Sequence, residues 1–350
     1  MLIDMSVVKK EFGNTKEGKA VTLYSIKNKN SLVAEVTDFG AILVNLFVPD
    51  KAGNIDDVVL GYDKIEKYFE NGSMFGATVG PSANRVANAS FCIDGVNYNI
   101  ADNNNGNNLH SDFENGYHKR LWNTQINENS VVFSLTDEDG SMGFPGNKKV
   151  QVTYTLTDEN ELKIEYYATS DKNTLINMTN HTYFNLAGHA SGSIEKHKVQ
   201  IKAFYYTPVN ENLIPTGDLR PVIGTAFDFN DFKFVGEEID TDDIQLKYAK
   251  GYDHNWVIDG FDGSVQKAAI VKEETTGRMM EVYTDQQGIQ FYTANGMTAD
   301  EGKADAKYDF RGGLCLETQA FPDSINQSHF PDVICGPQRH YKTTTIYKFI

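Results

Sequence analysis

Several stretches of the chain carry polar side chains where the surrounding pattern reads as strand or tight turn, and among them are groups able to move protons. Glu317 follows the apolar run Leu314 to Leu316 and precedes a turn-rich segment holding Pro322, Asp323, Asn326 and Pro331. A carboxylate placed there is partly desolvated, which raises its pKa and suits it to take protons near neutral pH. An exposed glutamate at a strand end is the other reading. Arg85, beside Asn84 in Ala83-Asn-Arg-Val86, stands among small and apolar residues. Its guanidinium stays charged, so burial demands either a carboxylate partner, as in a structural ion pair, or a polyhydroxylated ligand. His110 closes the Asn-rich loop 103–108, either as a surface imidazole or as part of a site.

From Asn180 to Asn185, period-two alternation sends Asn180, Thr182 and Phe184 to one face and His181, Tyr183 and Asn185 to the other. Both faces then need hydrogen-bond partners, as expected of a strand that lines a cleft. Asp253 and His254 lead into the strand run Trp256-Val-Ile258, and Gln290 is an amide inside the strand-like Gly288 to Thr293. The combined set of carboxylates, imidazoles, amides, one Arg and aromatic faces suits a sugar, whose hydroxyls donate and accept while its C–H faces pack on rings.

Other chemistries leave weaker traces. No His-x-His, His-Glu-x-x-His or Cys/His spacing marks a metal site, although ligands gathered from separate strands would leave no such spacing. No dinucleotide or Walker loop and no Gly-x-Ser-x-Gly elbow is present. A glycosidase built on Glu317 and Asp253 fits the same residues.

The elements that must position these groups are strands. Val21 to Ile26 and Leu32 to Val36 read as a hairpin, Phe39 to Val48 as a mostly buried strand, and Asp94-Gly95 as the turn of a second hairpin within Phe91 to Ile100. Val150, Val152, Tyr154 and Leu156 share one face, and Leu162, Ile164 and Tyr166 answer them after a turn at 158–160. Helical candidates are short: 64–70 and part of 231–240. Thr343 to Ile350 alternates again, so the chain ends as a strand whose loss destabilises the fold. The fold class expected is all-β, a large antiparallel sandwich in one domain spanning 1–350.

Bulk properties narrow the partners. The net charge of −16 repels phosphate backbones and anionic lipid, which excludes nucleic acid and membrane surfaces as partners. No signal peptide is read at Met1 to Lys10, and a cytoplasmic location is expected. Cys92, Cys315 and Cys335, an odd count without a Cys-x-x-Cys pair, read as reduced, buried thiols.

Taken in order, these motifs resemble those of the aldose 1-epimerases, the galactose mutarotases. The matching segments are Gly76-Ala-Thr-Val-Gly80 with Ala83-Asn-Arg85, Asn108-Leu-His110, Asn180-His-Thr-Tyr-Phe-Asn-Leu186, Gly251-Tyr-Asp-His-Asn255, Gln290-Phe-Tyr-Thr293 with Asn295, and Leu316-Glu-Thr-Gln319 with Phe321-Pro-Asp323. The resemblance implies a supersandwich fold and cofactor-free interconversion of the α and β anomers of free hexoses such as galactose and glucose. It implies Glu317 as general base, His181 as general acid, His110 assisting the proton transfer, and Asn84, Arg85, Asp253 and Gln290 holding the sugar. His181 would act as an imidazolium. Three positions depart from the family pattern, Pro81, Ala320 and Ile325, and Ser111-Asp112 replace the usual glycines after His110. A hexose 6-phosphate epimerase, drawing a phosphate-binding Arg from Arg120, Arg220 or Arg278, and a catalytically silent sugar-binding protein are the alternatives. Monomer and homodimer both remain open.

Overall fold

The computed structural model describes residues 7–350 and is built almost wholly of antiparallel strands. Nine strands form the largest sheet, in the order Asn123–Ile126, Ser130–Asp137, Lys148–Leu156, Glu161–Ser170, Tyr341–Phe349, Met279–Thr284, Gln266–Lys272, Lys198–Ile201 and Lys233–Phe234. Its central strands alternate strictly between buried and accessible residues, the signature of a sheet with one face on a core. Two five-stranded sheets supply the opposing surface. One is N-terminal, from Val8–Asn14 to Ile55–Asp57; the other runs Arg220–Pro221, Tyr205–Thr207, Asp253–Val257, Gly288–Tyr292, Cys315–Gln319. A contiguous apolar core joins all three: Ile26 and Leu46 from the first small sheet, Val152, Tyr166 and Tyr347 from the large one, Trp256, Phe291 and Leu316 from the second. The layers are those of a β-sandwich, as the alternation implied.

Local expectations hold where turn chemistry specifies them. The 91–100 hairpin pairs Ser90–Ile93 with Val96–Asn99, and Asp94 and Gly95 both adopt positive φ (53° and 78°), as a tight two-residue hairpin turn demands. The first helical candidate is a single turn, Ile65–Tyr68.

Other expectations fail for identifiable reasons. The 231–240 segment is not helical: Lys233–Phe234 adds to the edge of the nine-stranded sheet. The helix lies later, at Ile244–Ala249, where the Asp243 side chain accepts from the Gln245 N–H at 2.7 Å and Lys250 ends it with φ of 58°. Cys92 is exposed rather than buried, because it falls on the outward face of its hairpin, whereas Cys315 and Cys335 are buried.

The last strand ties the layers together. Tyr341–Phe349 pairs on one side with Glu161–Ser170 and on the other with Met279–Thr284. From it, Tyr347 packs on Phe184 with ring centroids 4.8 Å apart and donates its hydroxyl to the Leu316 carbonyl at 3.0 Å. Deleting 341–350 therefore splits the large sheet at its middle. Thermal unfolding followed by circular dichroism is expected to lose its cooperative transition in this variant, and a wild-type melting curve would contradict the topology.

Candidate active site

Three short segments converge on Glu317. Its strand, Cys315–Gln319, is buried throughout, so Glu317 sits in mid-strand rather than at the strand-to-loop boundary the sequence suggested. The neighbouring register places Asn255, Gln290 and Glu317 in one row, with Asp253, Tyr292 and Cys315 in the next. The short strand Thr179–His181 crosses this sheet. The Thr179 hydroxyl donates to the Thr318 carbonyl at 3.0 Å, and Asn177 makes a two-way amide pairing with the backbone of Ala320.

Gly76 holds the other edge of that strand. Its N–H donates to the His181 carbonyl, while its own carbonyl accepts from the Asn180 amide and the Leu43 N–H, each at 3.0 Å. With φ of +63° and the Leu43 oxygen 1.9 Å from where a Cβ would stand, no other residue fits there. Asn180 thus turns toward the core, also reaching the Tyr154 hydroxyl, and His181 turns to the opposite face, as alternation implied.

The second half of the site comes from two paired segments, Arg85–Val86 and Asn108–Leu109. Beyond them, the Asn84 N–H donates to His110 Nδ1 at 3.1 Å, and the His110 N–H donates to the Asn84 carbonyl at 3.0 Å. The Phe-Pro-Asp motif explains itself here: the Asp323 N–H donates to the Arg85 carbonyl and its carboxylate accepts from the Ala87 N–H, both at 2.9 Å. Arg85 reaches Asp253 at 3.6 Å, and Gln290 donates to the other Asp253 oxygen at 2.6 Å.

These residues enclose a cavity of about 170 Å³ lined by Asn84, Arg85, His110, His181, Asp253 and Glu317, with Tyr183, Tyr292, Met74, Leu109 and Phe113 among its remaining walls. Its size suits one small polar molecule. Six of the seven residues expected in a site are therefore brought together around one space. Gln290 is not among the lining residues: it is buried, and its amide donates to the Asp253 carboxylate. Tyr183 and Tyr292 lie inside the polar stretches that stood out in the sequence, yet no residue pattern marked them as walls. Phe113 and Gly72 to Met74 gave no signal at all, because only the folded loops bring them to the rim. Pro81, Ala320 and Ile325, the departures from the family pattern, do not line the cavity.

Electrostatics single out two groups. Glu317 Oε1 lies 3.8 Å from His181 Nε2, and Oε2 has no protein partner. Burial pushes the Glu317 carboxyl well above the usual carboxylate range, reinforced by the Asp253 charge and opposed by Arg85. Burial likewise pulls the His181 ring down to about 4. Burial thus favours the neutral form of each group, the carboxyl protonated and the ring unprotonated, so the imidazolium expected of His181 forms only as the partner of an ionised Glu317. His110 is also held neutral by burial, with the neighbouring His181 and Arg85 adding to the effect.

His110, His181 and Glu317 offer ligand atoms within 4.8 Å of one another, a spacing a metal ion would accept. The hydrogen bonds argue against that use. Because His110 Nδ1 accepts from a backbone N–H, its neutral ring carries the proton on Nε2, which makes that nitrogen a donor and not a ligand.

The aldose 1-epimerase family profile matches residues 22–348. The chain is 41% identical to the galactose mutarotase of Homo sapiens over 347 residues, 98% of each chain, and 36% identical to the aldose 1-epimerase of Escherichia coli K12 over 337 residues, 95% of this chain and 96% of that one. Among solved structures, a GalM/aldose epimerase homologue from C. elegans superposes with a TM-score of 0.85 at 33% identity, covering 95% of this chain and 99% of that chain. The galactose 1-epimerase of Lactobacillus acidophilus gives the same TM-score at 26% identity, covering 99% of both. A sandwich that gathers a desolvated Glu–His pair and polar anchors around one small cavity, with family similarity along nearly its whole length, places this chain in the aldose 1-epimerase family.

Proposed function

We propose that the protein interconverts the α and β anomers of free aldohexoses, galactose and glucose among them. The observation that carries the proposal is the placement of Glu317 Oε1 and His181 Nε2 3.8 Å apart on the wall of a cavity of monosaccharide scale. Anomer exchange requires a base at the C1 hydroxyl and an acid at the ring oxygen, two atoms bonded to the same carbon. Two proton-exchanging groups this close can serve both at once.

In the working form one proton of the pair sits on His181 and Glu317 is ionised. Glu317 removes the C1 hydroxyl proton, His181 Nε2 protonates the ring oxygen, and the C1–O5 bond breaks to the open aldehyde. Opening converts the buried ion pair into a neutral carboxyl and a neutral imidazole, the state that desolvation favours. Rotation about C1–C2 presents the other carbonyl face, and closure with reversed roles gives the opposite anomer. Arg85 and Asp253 anchor hydroxyls, and His110, held neutral, donates through Nε2.

The glycosidase alternative loses support because Asp253 is engaged by Arg85 and Gln290, and the group facing Glu317 is an imidazole. The 6-phosphate alternative also lacks a partner for the charge. Among the described residues no lysine lines the cavity, and its single arginine already faces Asp253. Arg120 is paired with Asp137, Arg278 is spent on backbone carbonyls, and Arg220 lies on the exposed strand Arg220–Pro221; none lines the cavity.

Polarimetry of freshly dissolved α-galactose or α-glucose is the direct test: faster equilibration than in buffer is expected. Glu317→Gln is expected to lower the rate by about 10² to 10⁴ while calorimetry still detects sugar binding. Equal rates in variant and wild type would overturn the assignment. Glucose 6-phosphate is expected to turn over with kcat/KM at least about tenfold below glucose, since an unpaired phosphate forfeits more than one charge-assisted bond.

The pH profile follows from the shared proton. Below about 4 His181 takes a second proton and Glu317 is no longer a base, so activity falls as pH falls. Above the raised Glu317 pKa the pair loses its only proton, and activity falls as pH rises. The acid limb of kcat/KM should lie well below pH 6.5, where an unperturbed imidazole would titrate; an acid limb centred there would contradict the desolvated pair.

A further inference from the structure

The mechanism uses His181 Nε2; its other ring nitrogen has a neighbour of its own. Cys315 Sγ lies 3.6 Å from His181 Nδ1, both residues being buried. Cys315 is two residues before Glu317 on one strand, so both side chains leave the same face and bracket the imidazole, the thiol at Nδ1 and the carboxyl at Nε2. Tyr183 stacks on the ring with centroids 5.0 Å apart, while the His110 and Tyr292 rings meet it edge-on at 5.2 and 6.3 Å. Beside these rings, the thiol and the carboxyl are the groups set at its two nitrogens.

Resting on the reading of His181 as the acid, we propose that Cys315 is a positioning residue: its sulfur accepts the Nδ1–H of His181 and so reserves Nε2 for proton exchange with the substrate.

The tautomer follows from what surrounds each nitrogen. Nδ1 has the Cys315 sulfur beside it as an acceptor. Nε2 faces the Glu317 carboxyl, whose hold on a proton burial strengthens, and an N–H on that side would oppose a second donor. During turnover the ring alternates between imidazolium and the Nδ1–H neutral form, so Nδ1 never releases its proton. An acceptor is needed there at every stage. Sulfur is a weak one, and its weakness matters. A carboxylate at Nδ1 would hold the ring charged, whereas a neutral thiol orients it without trapping either form. Burial raises the Cys315 pKa well above the usual thiol value, which keeps the group neutral.

The test reads the tautomer directly. Long-range proton–nitrogen NMR of 15N-histidine-labelled protein at pH 7, with His181 identified by its absence in His181→Gln, should show Nδ1 protonated and Nε2 bare. In Cys315→Ala that pattern should average between tautomers and kcat should fall by about 10 to 100-fold with KM unchanged, the scale at which removing a ligand-orienting partner acts. Cys315→Ser, which keeps an acceptor, should recover most of the loss. A wild-type ring protonated on Nε2 overturns the proposal. So does a Cys315→Ala protein with wild-type kcat, or an equal loss in Ala and Ser variants with the tautomer unchanged. Failure of the wild type to act on any aldose would instead remove the functional reading and leave the tautomer result standing.

Discussion

Neither Glu317 nor His181 tolerates charge on its own. Each is almost wholly removed from water, and the cost of isolating one ion at such a site amounts to several kcal/mol even after relaxation. What the pair can hold is one proton between them, either as two neutral groups or as a close ion pair of no net charge. The rest of the site serves that constraint. Arg85 offsets Asp253, Gln290 donates to Asp253, and the aromatic rings around His181 exclude water without adding charge.

The scaffold achieves this by crossing short elements rather than by any one long one. Register alone sets Gln290 between Asn255 and Glu317, and a slip of one residue would send the whole row to the opposite face of the sheet. Backbone pairings guard against such slips: the Thr179 side chain on Thr318, the Asn177 side chain on Ala320, and Asp323 through its N–H on Arg85 and its carboxylate on Ala87. Many motif residues that look functional in the sequence therefore work on the backbone. Asn180 and Asp323 are of this kind, and only the chain fold separates them from His181 and Glu317.

Much of this was legible in the residues. Alternation located the core faces of 150–156 and 162–166, Asp94-Gly95 its hairpin, and six of the seven residues picked from the embedded polar stretches line the cavity. What escaped was set by partners far away in sequence. Gln290 sits on a strand that faces the site, but its amide is turned to Asp253 on the adjoining strand, a pairing that only the folded register reveals. The helix was placed in 231–240 because nothing local reveals that Lys233–Phe234 finds a sheet edge at Val199. That burial opposes charge on His181 also escaped, because desolvation depends on packing from Tyr183, Tyr292 and His110, which no linear pattern encodes. Cys315 passed as filler for the same reason.

The strand Tyr341–Phe349 joins two halves of the large sheet whose other members lie some distance earlier in the chain. Until it docks, each half presents a row of unpaired amides and carbonyls, and the Leu316 carbonyl lacks its Tyr347 cap. Such a closing step pairs residues remote in sequence and so bears a large loop-closure entropy. A chain in which this strand has not yet docked consequently carries two open-edged half-sheets, the exposed state that chaperones shield.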